Sequence, residues 1–374
     1  MWYNAVLVQH RVIMNINEIF INRKKELAEM TFGVKSGQKY VLIAPRRYGK
    51  TTLLRKLAEQ IALDPKMQTI YIDIMKYSDS VMGLAEAITE ALLAQAGVVA
   101  KIRNWISNLD TRLDLKIKVQ ELEIDAIIEG IQNKDAYKSL DAALQYIEKL
   151  ALKQDKHFVV IFDEIGELEN LDAHAIKIMR SVIQHHKNVS YLFAGSKETV
   201  MKQIFISKAG AFYRFGIIYQ LGELEINDVI EFFKDNIQYI DENVIDYIVD
   251  KFYGHPYYTT NIFYRMSQKL ELNMHATITM VTLQEIMQEL ITAEKHYLDE
   301  QIKRIRLKKN HFTVFKTLIE KNFDKHTFEF SQQYLHEIIQ DLELWGYIRH
   351  TDGQYKLTDP LMSLYLADDS LSLI

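Results

Sequence analysis

The 374 residues carry 45 Lys and Arg against 50 Asp and Glu, a formal net charge of −5, with 48% hydrophobic and 25% charged side chains. That composition belongs to an ordinary globular chain long enough for two or three domains, and it leaves no overall electrostatic footprint for nucleic acid. The lack of cysteine excludes disulfides, thiolate zinc sites and thiol catalysis, and no stretch offers the roughly 18 uninterrupted apolar residues a membrane helix needs. Met1 to Met14 is apolar but has no basic n-region followed by a small-residue cleavage site. The expectation is a cytoplasmic chain with no membrane partner.

Taken in chain order, the first informative pattern is an apolar strand, Tyr40 to Ile43, running into Ala44-Pro45-Arg46-Arg47-Tyr48-Gly49-Lys50-Thr51-Thr52 and then into a helical pattern from Leu53 to Leu63. Strand, tight loop and helix form the context of a phosphate-binding loop, in which backbone N–H groups and the helix N-terminus face the phosphates. Lys50 is placed to reach the β- and γ-phosphates and Thr51 to put its hydroxyl on Mg²⁺, so ATP and Mg²⁺ are the expected ligands. Gly49 lets the backbone approach the phosphates. Ala44 stands where the G-x-x-x-x-G-K-[ST] pattern has its first glycine, a position that accepts a small residue.

After Pro65, Thr69 to Ile74 reads as a buried strand and Val81 to Ala96 as a helix, apolar at Leu84, Ile88, Leu92 and Ala96. Residues 101–135 match no motif, although alternation at Leu113, Leu115, Ile117 and Val119 suggests a strand, half of a hairpin with Leu122 to Ile124. A helix is expected from Ser139, read as its N-cap, to Leu152. It leads into the apolar run His157 to Phe162, which ends in Asp163-Glu164. An acid pair at the carboxyl end of a buried parallel strand is a Walker B element: Asp163 supports the metal and Glu164 polarises the attacking water. Glu167 and Glu169 read as solvated helix-start charges. A helix over Ala173 to His185 and a strand over Val189 to Ala194 follow, the strand ending in Gly195-Ser196. Ser196 either senses the γ-phosphate or caps a helix over Lys197 to Met201. Arg214, in Gly210 to Phe215, is either a finger acting in trans on a neighbour's nucleotide or an arginine packed on aromatic faces. The strand–helix alternation predicts a parallel sheet covered on both sides.

Beyond Glu223 the pattern turns helical, at Asp228–Asn236, Glu242–Phe252, Tyr257–Leu272 and Leu283–Lys303, which suggests a small helical domain. Helix signals at Asn310–Lys321 and Ser331–Trp345 precede two short strands, Gly346–His350 and Gln354–Leu357, around Thr351-Asp352-Gly353. Helix, helix and hairpin outline a winged helix. The expected division is an α/β ATPase core over 1–222, a helical lid over 223–304 and the winged helix over 305–374. From Lys308 onward seven Lys and Arg face ten Asp and Glu, and the second helix shows Gln332, Gln333, His336, Glu337 and Gln340 without a cation. Phosphate neutralisation supplies most non-specific DNA affinity, so this segment alone should bind duplex poorly. The run Lys303, Arg304, Arg306, Lys308 and Lys309 reads as a solvated helix face.

Several motifs together resemble the archaeal-type AAA ATPases, which are related to the STAND and origin-recognition ATPases. Phe20-Ile21-Asn22-Arg23-Lys24-Lys25-Glu26-Leu27 is similar to their F-x-x-R-x-x-E-L signature, and Ala44 to Thr51 to their G-P-R-R-x-G-K-T loop. Phe162-Asp163-Glu164 resembles their Walker B element and Phe193 to Ser196 their sensor-1 strand. Gly254-His255-Pro256-Tyr257-Tyr258 is similar to their lid motif and Thr358-Asp359-Pro360-Leu361 to their closing motif. The resemblance spans residues 16 to 366. It implies a parallel-sheet P-loop NTPase (AAA+/STAND-like) core, a helical lid and a winged helix, working as a nucleotide-controlled switch or oligomer. It further implies that Arg23 and Glu26 border the adenine and that His255 and Pro256 close over the nucleotide from the lid. The expected partners are ATP and ADP, with a second copy of the chain, a protein target and DNA left open. An ATP-binding, DNA-associated regulator with little turnover is the alternative reading.

Overall fold

The computed structural model describes residues 19–77, 79–95, 135–272, 277–319, 328–351 and 354–367. The chain divides into two compact units, one spanning Arg23–Gly222, the other joining the segment that ends at Asn22 to everything from Glu223 onward. The sequence readings for Met1–Met14, the suggested hairpin within 101–134 and the Asp352-Gly353 turn lie outside the described residues.

The first unit is built on five parallel strands: β1 Tyr40–Ile43, β2 Met67–Asp73, β3 His157–Asp163, β4 Val189–Gly195 and β5 Ile217–Gln220, in the order β2-β3-β4-β1-β5. Helices α1 Lys24–Lys35, α2 Lys50–Ile61, α3 Val81–Gln95, α4 Ala136–Gln154 and α5 Ala173–Ile183 cover it. β3 and β4 are buried along nearly their whole length, as expected for parallel strands with helices on both faces. Ile70, Ile72, Val160, Phe162, Tyr191 and Phe193 share one continuous core with Leu84, Ile88, Leu144, Ile147 and Met179 of α3, α4 and α5. The apolar residues of α1 and α2, among them Met30, Val34, Leu53 and Leu57, are buried apart from that cluster, on the opposite face of the sheet.

Two local readings change. α4 begins at Ala136, because the Asp135 carboxylate accepts from the N–H groups of Tyr137 at 3.0 Å and Lys138 at 3.3 Å. Ser139 is therefore not the cap; it lies within the first turn and its hydroxyl donates to the Asp135 carbonyl at 3.2 Å. β5 escapes pattern reading because it has only four residues and pairs on one side alone.

The second unit holds α6 Ile226–Asn236, α7 Glu242–Phe252, α8 Pro256–Leu272, α9 Met280–Arg306, α10 His311–Ile319, α11 Gln332–Leu344, an antiparallel pair β6 Ile348–Thr351 and β7 Gln354–Leu357, and α12 Leu361–Ala367. α9 runs through the boundary expected at 304, and a single core continues from Val229 and Phe263 through Leu290 to Ile338 and Leu361. The Tyr258 hydroxyl donates to Asp359 Oδ1 at 2.6 Å, and the same oxygen accepts the Leu361 N–H at 3.1 Å. That bond joins the Gly-His-Pro-Tyr-Tyr and Thr-Asp-Pro-Leu segments, 101 residues apart in sequence. No helix among the described residues is long and apolar enough to cross a membrane.

Gly254 opens the first of these segments at φ +76°, and a Cβ there would sit 2.3 Å from the Leu224 carbonyl oxygen. Both the backbone conformation and the close approach require glycine. Gly254→Ala is expected to destabilise the unit by about 2 kcal/mol or more, read as a lowered midpoint in urea unfolding; an unchanged midpoint would show that the turn relaxes freely.

Candidate functional site

β1, β4 and β3 lie side by side and end at the same edge of the sheet. Their carboxyl ends deliver the Ala44–Thr52 loop, Gly195-Ser196 and Asp163-Glu164, in the place where parallel α/β sheets bind ligands. Ala44 continues the pairing of β1, its N–H donating to the Gly195 carbonyl at 3.4 Å, and it is fully buried. It is not among the described residues with positive φ, so a methyl group is accommodated where the pattern has glycine. The turn is made further on, by Arg47 at φ 69° and Gly49 at φ 77°, both left-handed. Gly49 is the N-cap of α2, so Lys50, Thr51 and Thr52 form its first turn at the positive end of the helix dipole. Pro45, Arg46 and Arg47 make up the outer part of the loop, with Arg46 exposed and Tyr48 buried beneath.

Five of the expected residues meet directly. Lys50 is buried, and its Nζ lies 2.5 Å from Glu164 Oε1 and 3.8 Å from Asp163 Oδ1. The Thr51 hydroxyl donates to Asp163 Oδ2 at 3.2 Å. Ser196 donates twice to Glu164 Oε2, from its N–H at 3.1 Å and from its hydroxyl at 2.9 Å. The helical turn Glu198–Met201 carries no side-chain cap, so the Ser196 hydroxyl is spent on Glu164. Glu164 itself stands at φ 53°, ψ 40°, directly after β3. Left-handed backbone is uncommon for a residue with a long side chain. Here it turns the carboxylate back toward Lys50 and Ser196, while the Glu164 N–H donates to Asp163 Oδ1 at 3.0 Å.

Arg23 is also buried, but it works on backbone. Its Nη2 donates to the carbonyls of Gly222 at 2.7 Å and Tyr48 at 3.3 Å, and its Nη1 to Glu26 at 3.0 Å. It therefore braces the phosphate-loop backbone from below. Glu167 and Glu169, expected to be solvated, both pair with Lys197. Arg214 is not brought to this edge. It precedes β5, at the opposite end of the sheet, and is exposed with its guanidinium 5.3 Å from the Tyr213 ring. The four paired residues of β1 and β5 alone set about 10 Å of strand between the two ends. The cations over Phe215 are Lys39 at 4.7 Å and Arg180 at 4.1 Å. His255 and Pro256 belong to the second unit, where both are buried and the His255 ring lies 4.8 Å from that of Tyr258.

Pattern reading missed Tyr71 of β2, whose hydroxyl donates to Asp163 Oδ2. Burial, reinforced by that bond, pushes its phenol pKa upward. The signal was weak: a tyrosine two residues before Asp73, on a strand whose partner also ends in aspartate. Among the described residues no cluster of three or more His, Cys, Asp or Glu side chains is arranged for a metal. Thr51 and Asp163 instead present hydroxyl and carboxylate oxygens together. That sparse, hard-oxygen set fits Mg²⁺, which takes one or two protein oxygens and completes its shell with water and substrate phosphate.

Burial acts to raise the Glu164 pKa, but the Lys50 charge and the bonds from Lys50 and Ser196 outweigh it and hold the carboxyl below its ordinary 4.5. A depressed carboxyl stabilises the fold fully above pH 4.5 and loses that contribution as pH falls through the lowered value. The difference in melting temperature between the natural chain and Glu164→Gln is expected to shrink as pH is lowered through this window. A constant difference would show that the pair carries no proton-linked stability.

The sequence profile of an ATPase domain found predominantly in Archaea matches residues 20–262. By structure, the chain is similar to the Walker-type ATPase PABY2304 of Pyrococcus abyssi, with a TM-score of 0.63 at 14% identity over 93% of this chain and 96% of that one. It is also similar to the ORC2 protein of Aeropyrum pernix in its ADPNP–ADP complexes, with a TM-score of 0.57 at 10% identity over 98% and 99%. At these identities the likeness is one of fold. No curated protein matches by sequence. A profile match across most of the chain, on a parallel sheet with its phosphate loop and acid pair at one edge, makes this protein a member of the archaeal-type ATPase family.

Proposed function

We propose that this chain binds ATP with Mg²⁺ and hydrolyses it to ADP and phosphate, using turnover to reset a conformational state rather than to make a product. The observation that carries the reading is the meeting of Lys50, Glu164 and Ser196, beside Thr51 and Asp163, at the ends of three adjacent strands. The loop N–H groups and the α2 N-terminus bind the phosphates. Thr51 and Asp163 would hold Mg²⁺, which would supply neutralisation of phosphate charge. In this reading Lys50 turns from Glu164 toward the phosphates, so the incoming nucleotide also releases the base. Glu164, still held through Oε2 by Ser196, then orients water and accepts its proton. Ser196, bonded to Glu164, serves in this reading as the sensor that reports the γ-phosphate to the base.

Arg214 acts in trans in this reading: the opposite end of the sheet is out of reach of its own loop but suits a neighbouring copy in a homo-oligomer. The 223–304 and 305–374 segments, which share one core and the helix α9, serve in this reading as lid and winged helix. Arg23, with Glu26, supports the adenine side by holding the loop backbone.

The DNA-associated alternative is disfavoured by where the cations go. Arg306 lies over the Phe312 ring at 4.2 Å, and Lys308 pairs with Asp341 at 2.8 Å and lies 4.7 Å from the Trp345 ring. The protein target is left to experiment.

Lys50→Ala is expected to lose ATP binding. Glu164→Gln is expected to bind ATP at least as tightly as the natural chain, because Lys50 is no longer neutralised, while hydrolysis falls by about 100-fold or more. Equilibrium ATP binding and phosphate release measured on the same preparations decide this; normal turnover by Glu164→Gln would remove its role as base.

A further inference from the structure

The site holds one side chain that neither the phosphate loop nor the acid pair accounts for. Tyr71 lies on β2, the edge strand next to β3, in parallel register: Tyr71 is opposite Ile161 and Asp73 opposite Asp163. Side chains opposite one another share a face. Tyr71 and Asp163 therefore project from the face on which α2 packs, the face that also carries Thr51, whereas Ile70 and Ile72 enter the core on the other side. The tyrosine hydroxyl reaches diagonally past Ile161 to Asp163 Oδ2, a span suited to an aromatic side chain. Asp163 is thereby held on three sides. Oδ2 accepts from Tyr71 and from Thr51, and Oδ1 accepts from the Glu164 N–H.

We propose that Tyr71 is a positioning residue for the metal-supporting carboxylate: its phenol, from the neighbouring strand, fixes the rotamer in which Asp163 faces Thr51. This rests on the Mg²⁺–ATP reading above. A carboxylate free to rotate about its side-chain bonds must be ordered when the ion enters, and one already hydrogen-bonded from a rigid strand need not be. Partners that orient metal-holding groups in this way typically contribute roughly 10–100-fold in metal affinity. The hydrogen bond described for the Tyr71 hydroxyl goes to Asp163, so its influence is expected to act through that carboxylate and the metal it supports.

Tyr71→Phe removes the hydroxyl and keeps the ring, which leaves packing intact. ATP binding to the full chain is measured by calorimetry in EDTA and then across a Mg²⁺ titration. Tyr71→Phe is expected to match the natural chain in EDTA and to need about tenfold more Mg²⁺ to reach half of the metal-dependent gain in affinity. In an Asp163→Ala background the same change is expected to shift nothing further, since the hydroxyl then has no carboxylate to hold. An unchanged Mg²⁺ midpoint in Tyr71→Phe overturns the proposal. So does an equal shift with and without Asp163, or an equal loss of ATP affinity in EDTA. Should ATP binding by the natural chain not respond to Mg²⁺ at all, the metal reading fails and takes this inference with it; a normal Mg²⁺ response in both proteins removes the role of Tyr71 alone.

Discussion

The ion pair between the buried Lys50 and the partly buried Glu164 is the interaction around which this site is arranged. Two charges taken out of water incur a desolvation penalty that their attraction offsets only when geometry is good and the remaining polar atoms are satisfied. Here the lysine lies 2.5 Å from one carboxylate oxygen, and Ser196 supplies two donors to the other. Each group comes from a different element: the first turn of α2, the left-handed residue after β3, and the end of β4. A pair like this is weak evidence for stability, since removing one member costs about 3–5 kcal/mol largely by stranding the other. Its value lies in register. It forms only if the three strands end level and the loop brings α2 down over them.

That requirement explains the supports around it. Ala44 keeps β1 paired with β4 to the last residue before the loop, so the turn starts from a defined height. Arg23 ties the carbonyl of Tyr48, inside the loop, to that of Gly222, where the chain leaves the unit. Burial lowers the Arg23 pKa and the Glu26 carboxylate works against that, so the guanidinium is kept in place by charge as well as by its two carbonyls. The phosphate loop is thus anchored on both flanks, by the sheet on one side and by a buried arginine on the other. A loop that must present backbone N–H groups to phosphate gains from such preorganisation, because nothing has to be ordered when the ligand arrives.

Much of this was legible in the residues. The phosphate loop, the apolar strand with its terminal acid pair and the strand ending in Gly195-Ser196 announce themselves because each is a local pattern, with apolar runs bounded by small or acidic residues. The sheet class followed from their alternation with helical spacing. What misled was equally local. Ser139 looks like a cap, but Asp135 lies four residues earlier and its carboxylate reaches two N–H groups at once. Tyr71 looks like one more aromatic in a strand, and the motif that marks Arg23 does not show which carbonyls it holds. Their partners lie 92 residues away for Tyr71, and 25 and 199 residues away for Arg23.

The amino-acid sequence alone therefore determined the chemistry on offer: a lysine and threonine opening a helix, an acid pair closing a strand, no thiols, and a formal net charge of −5. Those properties are carried by residue types at short spacing, which backbone geometry converts directly into elements. Tertiary structure decided which of these groups meet. It joined Lys50 to Glu164 and Ser196, gave Asp163 a tyrosine from the neighbouring strand, and placed Arg214 at the far end of the sheet. The order β2-β3-β4-β1-β5 is a property of how the whole chain buries its apolar faces, and no short window of residues encodes it.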